Sequence, residues 1–271
     1  MYRVLLLALL MGCPPASDTD SGLDTDPGSD TDPDVDTDTD SDTTSSLRRD
    51  PGACEPWGST PPASLSRTGC VDPTDPSQPA AGFMPYTLVS PLWSDGATKA
   101  RYVALPLDAQ ATVTDEGDIE FPVGTVLGKW FYVDDVLIEV RLFSHNVDGW
   151  AGASWQWDAG SNDGILREQG ASVALDGGGT WSIPSTGQCR QCHTAAAGVS
   201  LGPQTNQLDI EWEWPDGTMV NALEAFVAMG VLPSELPDVA PLYDPFGDGP
   251  IEGRARSYLH SNCAGCHQPG G

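Results

Sequence analysis

Two five-residue motifs carry the cysteine and histidine chemistry of this chain. Cys189-Arg190-Gln191-Cys192-His193 and Cys263-Ala264-Gly265-Cys266-His267 each place two thiols three residues apart and an imidazole directly after the second thiol. This pattern is the attachment signature of c-type haem, in which both thiols add to the haem vinyl groups and His193 or His267 ligates the iron. Zinc sites and redox dithiols also use Cys-x-x-Cys pairs, but a histidine immediately after the second cysteine is the haem arrangement. The sequence therefore predicts two covalently bound c-type haems.

The first residues of the chain have the pattern of an export signal. Met1-Tyr2-Arg3 supplies one basic residue, the run from Val4 to Leu10 is apolar, and a small residue precedes Cys13. Such a segment is typical of a bacterial secretory signal, and the apolar run is too short for a permanent membrane span. It is similar to the lipoprotein type, in which Cys13 is acylated and becomes the mature N-terminus. We therefore expect residues 1–12 to be the signal peptide and a lipid to anchor the protein in the cell envelope. Pro14 favours the outer membrane.

Two further cysteines, Cys54 and Cys70, are not used by the motifs or the lipid. A disulfide between them would close a short loop and contribute about 3 kcal/mol. Export, haem attachment and a disulfide would all require the same oxidising compartment. The alternative, two free thiols, stays open because sequence spacing does not give their distance in the fold. We expect residues 51–84 to form a disulfide-closed linker.

Residues 13–50 form an acidic segment with few apolar residues. Eleven aspartates alternate with Thr, Ser or Pro from Asp18 to Asp42. Such a segment cannot bury enough apolar surface to offset its ordering entropy, so it predicts a disordered tether. The alternative is calcium binding, but the glycine and the closing glutamate of an EF-hand loop do not occur in register.

The formal net charge is -27, and the tether aspartates account for eleven of these charges, so the remainder of the chain is acidic too. This charge argues against binding to nucleic acid or to anionic membrane surfaces. It suits docking to a basic redox partner, although a solvated acidic surface is the commoner explanation.

The fold class expected from the pattern is α+β, an antiparallel β-rich domain followed by a helical region. Residues 85–195 contain β-type runs at Lys99–Leu105 and around Trp150 to Trp157, and shorter runs near Ala171–Leu175 and Trp181–Ile183. Within the same domain, Thr125–Val133 and Val136–Ser144 flank Asp134-Asp135 and predict a hairpin with a two-residue turn.

Residues 196–271 change to a helical period. Val220–Met229 predicts a helix closed by Gly230. Ile251, Ala255, Tyr258 and Leu259 share one face of a helix that leads into the second motif. An amphipathic helix before the attachment motif is the usual opening of a cytochrome c domain.

Three segments resemble a family of bacterial diheme c-type cytochrome-like proteins. They are Pro91-Leu92-Trp93-Ser94-Asp95-Gly96-Ala97, Phe121-Pro122-Val123-Gly124-Thr125, and Arg256-Ser257-Tyr258-Leu259 before Asn262-Cys263. The resemblance spans roughly residues 85–271 and implies haem attachment at both motifs and electron transfer. Members often occur with quinoprotein dehydrogenase modules of the sorbosone or glucose type. The implied partner is therefore such a dehydrogenase or another cytochrome.

A more distant similarity, to β-sheet cytochromes with lysine-cross-linked haems, would bring Lys129 close to a haem. The position of Lys129 in a strand by itself predicts a solvated side chain.

The second axial ligands are not marked by a motif. Met229, at the end of a predicted helix, is the favoured distal ligand of the first haem, with Met219, His145 and His260 as alternatives. The chain ends four residues after His267, so we expect the surroundings of the second haem to be incomplete.

Three functions follow from these predictions. The favoured one is an electron carrier whose haems relay electrons from a periplasmic dehydrogenase. The first alternative is a haem enzyme with an open iron site, acting on peroxide or a small nitrogen compound, with His145 or a carboxylate as the acid–base group. The second is a β binding module in which the haems are structural.

Overall fold

The computed structural model describes Cys54, residues 56–58 and residues 60–268. These residues all belong to one unit of the chain, Asp40–Gly271. The predicted signal peptide, the lipidated Cys13 and the acidic tether lie outside the described residues. Among the residues described, no helix combines the length and apolar character needed to cross a membrane.

The described part of the chain is rich in antiparallel β structure, as predicted. Six strands form the main sheet in the order β1-β2-β5-β6-β7-β8, and three small sheets pair β3 with β4, β9 with β10, and β11 with β12. The predicted strands at Ala171–Leu175 and Trp181–Ile183 therefore pair with each other and do not join the main sheet. The strands are Met84–Tyr86 (β1), Thr98–Ala104 (β2), Thr112–Val113 (β3), Ile119–Glu120 (β4), Val126–Val133 (β5), Val136–Asn146 (β6), Gly149–Asp158 (β7), Asp163–Leu166 (β8), Ala171–Ala174 (β9), Thr180–Ile183 (β10), Glu211–Glu213 (β11) and Met219–Asn221 (β12).

The helices of the described residues are short. The helix predicted at Val220–Met229 begins later, because Met219–Asn221 pairs with β11 and the side chain of Asn221 then caps the helix by accepting from the amides of Leu223 and Glu224. After residue 196 a two-stranded sheet thus lies between short helices, and the structure does not show the predicted helical region of the cytochrome c type. The helical elements are a 3₁₀ turn at Leu65–Thr68, then Thr186–Cys192 (α1), Thr205–Leu208 (α2), Ala222–Ala228 (α3) and Ile251–Leu259 (α4), and a π-helical turn at His260–Ala264.

The predicted β5–β6 hairpin is confirmed. Val133 pairs with Val136, and both residues of the turn, Asp134 and Asp135, have positive φ angles of 47° and 62°. Two consecutive left-handed residues form the turn that matches the twist of the two strands, and aspartate tolerates this conformation. The hairpin fixes the register of the two central strands, and the functional site depends on that register.

The main sheet is covered on both faces. One face carries Trp130 and Trp155, which pack with Leu65 and with the segment joined by a disulfide between Cys54 and Cys70. The opposite face has three parts. One part packs against α3 and its neighbours in a second apolar cluster, another packs through Phe131 against Trp181 and Ile183, and the third borders a cavity. Alternation of side chains along each strand therefore separates the disulfide from the cavity.

The apolar face predicted for α4 is not buried. Ile251 is 72% exposed and Leu259 is 56% exposed, whereas Ser257 is buried. The hydroxyl of Ser257 accepts from the amide of Tyr243, and its carbonyl accepts from the hydroxyl of Ser90. Polar and backbone contacts, not the apolar stripe, thus hold α4 on the described part of the chain.

Candidate functional site

Helix α1 positions the thiols of the first motif. Ser185 and Gln188 form a reciprocal capping box at its N-terminus, which fixes where the helix begins after β10. Cys189 and Cys192 are three residues apart, so they share one side of the helix, and both thiols are free. Burial is the main cause that raises the pKa of the Cys189 thiol.

His193 ends α1 with its ring held in one orientation. Nδ1 lies 2.6 Å from the carbonyl oxygen of Val199, and the ring packs against Phe143 with 4.2 Å between centroids. A carbonyl only accepts, so Nδ1 carries the proton and Nε2 carries the lone pair. Burial, and then the charge of Lys129, lower the pKa of His193 to about 4. The imidazole is therefore neutral at pH 7 and able to act as a metal ligand.

The loop that orients His193 has a strained backbone. Val199 and Leu201 have positive φ angles of 57° and 48°, a conformation that is unfavourable for branched side chains. Such residues cost on the order of 1–3 kcal/mol each and concentrate at functional sites. The carbonyl of Val199 faces Nδ1 of His193, and the carbonyl of Leu201 lies 3.5 Å from Nζ of Lys129. The strained conformation of this loop thus places two backbone carbonyl groups at the site as hydrogen-bond acceptors.

The second motif lies against the loop that follows the first. The π-helical turn that extends α4 carries Cys263, whose carbonyl accepts from the amides of Cys266 and His267. Gln268 donates to the carbonyl of Ala196, and a side chain added at Gly265 would lie 3.6 Å from Leu201. Residues of both motifs are therefore brought to one region of the fold, although more than 70 positions separate them in the sequence.

A cavity of about 340 Å³ lies between the sheet and these two motifs. Its wall includes Cys189, Cys192 and His193 from the first motif and Cys266 from the second. Apolar side chains contribute to the same wall. These are Leu88, Leu127, Phe131 and Phe143.

Other predicted residues lie away from this wall. Cys263 and His267 are not part of it, and His267 is exposed. Met229, the predicted distal ligand, is buried in the second apolar cluster beside α3 and does not line the cavity. His145 stacks on Trp150 outside the cavity and is hydrogen-bonded at Nδ1 to the carbonyl of Phe121.

Four basic side chains line the sheet side of the cavity. Arg101, Lys129 and Arg141 lie directly opposite one another on β2, β5 and β6, so they form one cross-strand row. Lys99 precedes Arg101 by two residues and therefore lies on the same face. Lys129 is half-buried here, so the expectation of a solvated side chain is wrong. The strand around it is apolar on both faces, which leaves it no solvated side.

Burial changes the ionisation of this row. It is the main cause that lowers the pKa of Lys129 to about 7, with further contributions from Arg101 and Arg141. The pKa of Lys99 is also lowered to about 7, again mainly by burial and then by Arg101. Glu139 is the one carboxylate that forms an ion pair with the row among the described residues. It meets Arg141 through two contacts of 2.6 and 2.9 Å and also accepts from Trp181.

A second histidine lies on the cavity wall. Nε2 of His260 is 2.6 Å from Oε1 of Gln204, whose amide nitrogen donates to Asp118. A carboxylate only accepts, so the amide orientation of Gln204 is determined and its oxygen must accept from Nε2 of His260. The lone pair of a neutral His260 is therefore on Nδ1, to which no hydrogen bond is present within the described part of the chain. Sequence patterns gave His260 no role beyond an alternative ligand.

Comparison of the chain with models of known protein families, with curated proteins and with solved structures gives no match.

Proposed function

We propose that this chain is an exported electron carrier that holds one c-type haem at Cys189, Cys192 and His193. A second haem is held at Cys263, Cys266 and His267. The observation that carries the proposal is the state of His193, which has a carbonyl on Nδ1 and a lone pair on Nε2, beside two free thiols on a cavity wall. A neutral imidazole anchored through its other nitrogen is the usual state of a metal-ligating histidine.

The residues around the first motif fit a covalently attached planar group. Gly152 on β7 faces Cys189, and a Cβ at this position would lie 3.2 Å from both Cβ and Sγ of Cys189. Glycine therefore leaves clearance where the attaching thiol meets the sheet. The neighbouring wall contributes the apolar side chains of Leu127 and Phe143, which suit an aromatic macrocycle.

When bound, haem supplies reversible one-electron oxidation and reduction. The chain contributes the tether, the orientation of the iron ligand and exclusion of water from one side. Because Gln268 and Gly265 of the second motif region contact the loop 194–201, the two attachment points share a wall. That proximity supports a relay between two groups. The acidic chain and the predicted lipid anchor at Cys13 support a periplasm-facing carrier with a basic redox partner, such as a quinoprotein dehydrogenase or another cytochrome.

The role of His260 separates two functions. His260 lines the cavity and Met229 does not, so we propose that His260, in place of Met229, would supply the further protein ligand to the iron of the first haem. The same observation favours a second candidate function, a haem enzyme with an open site. In that case His260, oriented by Gln204 and Asp118, would act as the acid–base group.

The test is the intact mass of the mature protein produced in a host that attaches c-type haem. We expect two haems in the wild-type protein and one in each double variant, Cys189→Ser/Cys192→Ser and Cys263→Ser/Cys266→Ser. A matched control, Cys54→Ser/Cys70→Ser, should keep two. A protein without covalent haem would contradict the proposal and would favour zinc binding or dithiol redox chemistry at both motifs.

The absorption and electron paramagnetic resonance spectra of the ferric protein then separate the two functions. A low-spin first haem that becomes high-spin in His260→Ala supports the carrier with His260 as ligand. A high-spin first haem in the wild-type protein that binds added cyanide supports the enzyme and contradicts the ligand role of His260.

A further inference from the structure

The basic row of the cavity is not explained by haem attachment or iron ligation. Arg101, Lys129 and Arg141 occupy one cross-strand row, and Lys99 adds a fourth charge to the same wall. Like charges placed directly opposite each other weaken a sheet. The whole chain has 12 basic against 39 acidic residues, and both of its lysines lie here. An arrangement that lowers the stability of the sheet in this way indicates that the charges have a function.

The partners within the protein do not neutralise the row. Arg101 is only 8% exposed, and its guanidinium donates to the carbonyl of Lys99 at 3.3 Å. Lys129 has the carbonyl of Leu201 at 3.5 Å, the limit of a hydrogen bond. Glu139 pairs with Arg141 alone. Arg101 and Lys129 therefore face the cavity with neutral acceptors as their hydrogen-bond partners in the described residues. A buried lysine can lose its proton, and the pKa of about 7 allows this for Lys129, but an arginine stays charged, so the buried guanidinium of Arg101 requires an anion.

The spacing of the basic side chains in the row indicates how many carboxylates they can bind. Adjacent strands lie about 4.8 Å apart, so Arg101 and Arg141 are separated by about 10 Å along the row, with Lys129 between them. Glu139 already occupies Nε and Nη2 of Arg141, so Lys99, Arg101 and Lys129 are the side chains of the row without a carboxylate partner among the described residues. One further carboxylate spans two positions of the row at most, whereas two carboxylates reach all of them. Arginine binds a carboxylate through two parallel N–H groups, and lysine acts as a point charge shared between neighbours.

The row also lies next to the first attachment motif. Arg141 pairs across β7 with Ser154, and two residues along β7 is Gly152, the position that Cys189 contacts. A group attached to Cys189 therefore lies within one strand pair of the row. Two side chains of the row also make cation–π contacts with the ring of Phe131. Arg141 lies 4.3 Å and Lys99 5.9 Å from the ring centroid.

We propose that Lys99, Arg101, Lys129 and Arg141 form a buried site for two carboxylates held at once. Two sources have this chemistry, namely the paired propionates of the haem at the first motif and a free dicarboxylate. The propionate source rests on the proposed function, whereas the dicarboxylate source does not.

The experiment uses the full mature chain in two forms, one with haem at both motifs and the variant Cys189→Ala/Cys192→Ala, which lacks only the first haem. Succinate is the probe, acetate is the monocarboxylate control, and thermal unfolding and calorimetry measure binding. We expect succinate to raise the melting temperature of the variant without the first haem more than acetate does at equal ionic strength. In Arg101→Met and Lys129→Met the succinate affinity should fall at least tenfold, while the exposed control Arg256→Met should keep it.

The form that carries haem at the first motif shows where the two bound carboxylates come from. If propionates fill the site, succinate has no effect on this form, and Lys129→Met lowers the midpoint potential of the first haem, because a cation near the iron favours the reduced state. If succinate binds both forms with equal affinity and the potential does not change, the site takes a free dicarboxylate.

The proposal is overturned if succinate binds neither form and the potential is unchanged in both Arg101→Met and Lys129→Met. Should one methionine variant fail to fold, Lys129→Arg retains the charge and is expected to retain binding. A wild-type protein that carries no haem contradicts the proposed function only, since its succinate binding still decides whether the site exists.

Discussion

The ion pair between Glu139 and Arg141 provides the sharpest energetic test of the site. Glu139 is fully buried, its two oxygens contact the guanidinium of Arg141 at 2.6 and 2.9 Å, and one of them also accepts from Trp181 at 2.7 Å. The chain contains a matched control, Glu252 and Arg256, which form an ion pair at 2.8 Å with both side chains 76% exposed.

Glu139→Gln keeps the shape of the side chain and an acceptor for Trp181 but removes the negative charge. In the variant Cys189→Ala/Cys192→Ala without added dicarboxylate, Arg141 then lies next to Lys129 with no counter-ion. We expect a loss of about 3 kcal/mol in the free energy of unfolding, the lower end for a broken buried pair, because Arg141 is 33% exposed. Glu252→Gln should be indistinguishable from the wild-type protein, because an exposed pair contributes little.

The measurement is equilibrium urea unfolding followed by far-UV circular dichroism, with the slope of each transition compared before the midpoints are interpreted. The double variant Glu139→Met/Arg141→Met removes both charges and should regain most of the loss, since two apolar side chains leave no buried charge. The reasoning is refuted if Glu139→Gln is no less stable than Glu252→Gln, or if the double variant is no more stable than Glu139→Gln.

Three further predictions concern the disulfide, a buried tyrosine and the clearance at the first motif. Replacing Cys54 and Cys70 by Ser should cost about 3 kcal/mol for a loop closed over 16 residues, measured by urea unfolding. Burial raises the pKa of Tyr86 to about 12, so the folded state holds the proton more tightly. Wild-type stability should therefore fall between pH 10 and 12, whereas Tyr86→Phe should not show this fall; equal alkaline losses would contradict the assignment. Gly152→Val should reduce haem loading of the first motif, measured by intact mass, while Gly58→Val, which meets nothing within 4 Å, should load normally.

Local patterns in the sequence predict the main elements of the sheet. The turn at Asp134-Asp135 and the strands on either side of it follow from residue type alone. The strand at β7 follows from the tryptophans between small residues. The amphipathic stripe of α4 misleads, because it predicts burial for Ile251, which is exposed. A stripe shows which face is apolar, not what covers it.

The candidate site is harder to predict from the sequence because it depends on the register in which the strands pair. Arg101, Lys129 and Arg141 meet only once three strands are paired in one specific alignment, and a shift by one residue would turn Lys129 to the opposite face. His260 and Gln204 are 56 positions apart, and no motif joins them. The two Cys-x-x-Cys-His motifs, by contrast, are local and therefore visible in the sequence.

Several unfavourable features of the structure lie around one cavity. Val199 and Leu201 have strained backbone angles, Lys129 and Arg101 are basic side chains without a carboxylate partner in the described residues, and the pKa of His193 is about 4. None of these features is required by the pairing of the antiparallel strands. Sequences conflict with stability mainly where function demands it. Under the proposed function, each of these features would meet a need of one bound group, namely an oriented iron ligand and partners for its anionic substituents. That agreement is a reason to propose a prosthetic group in this cavity besides the Cys-x-x-Cys-His pattern.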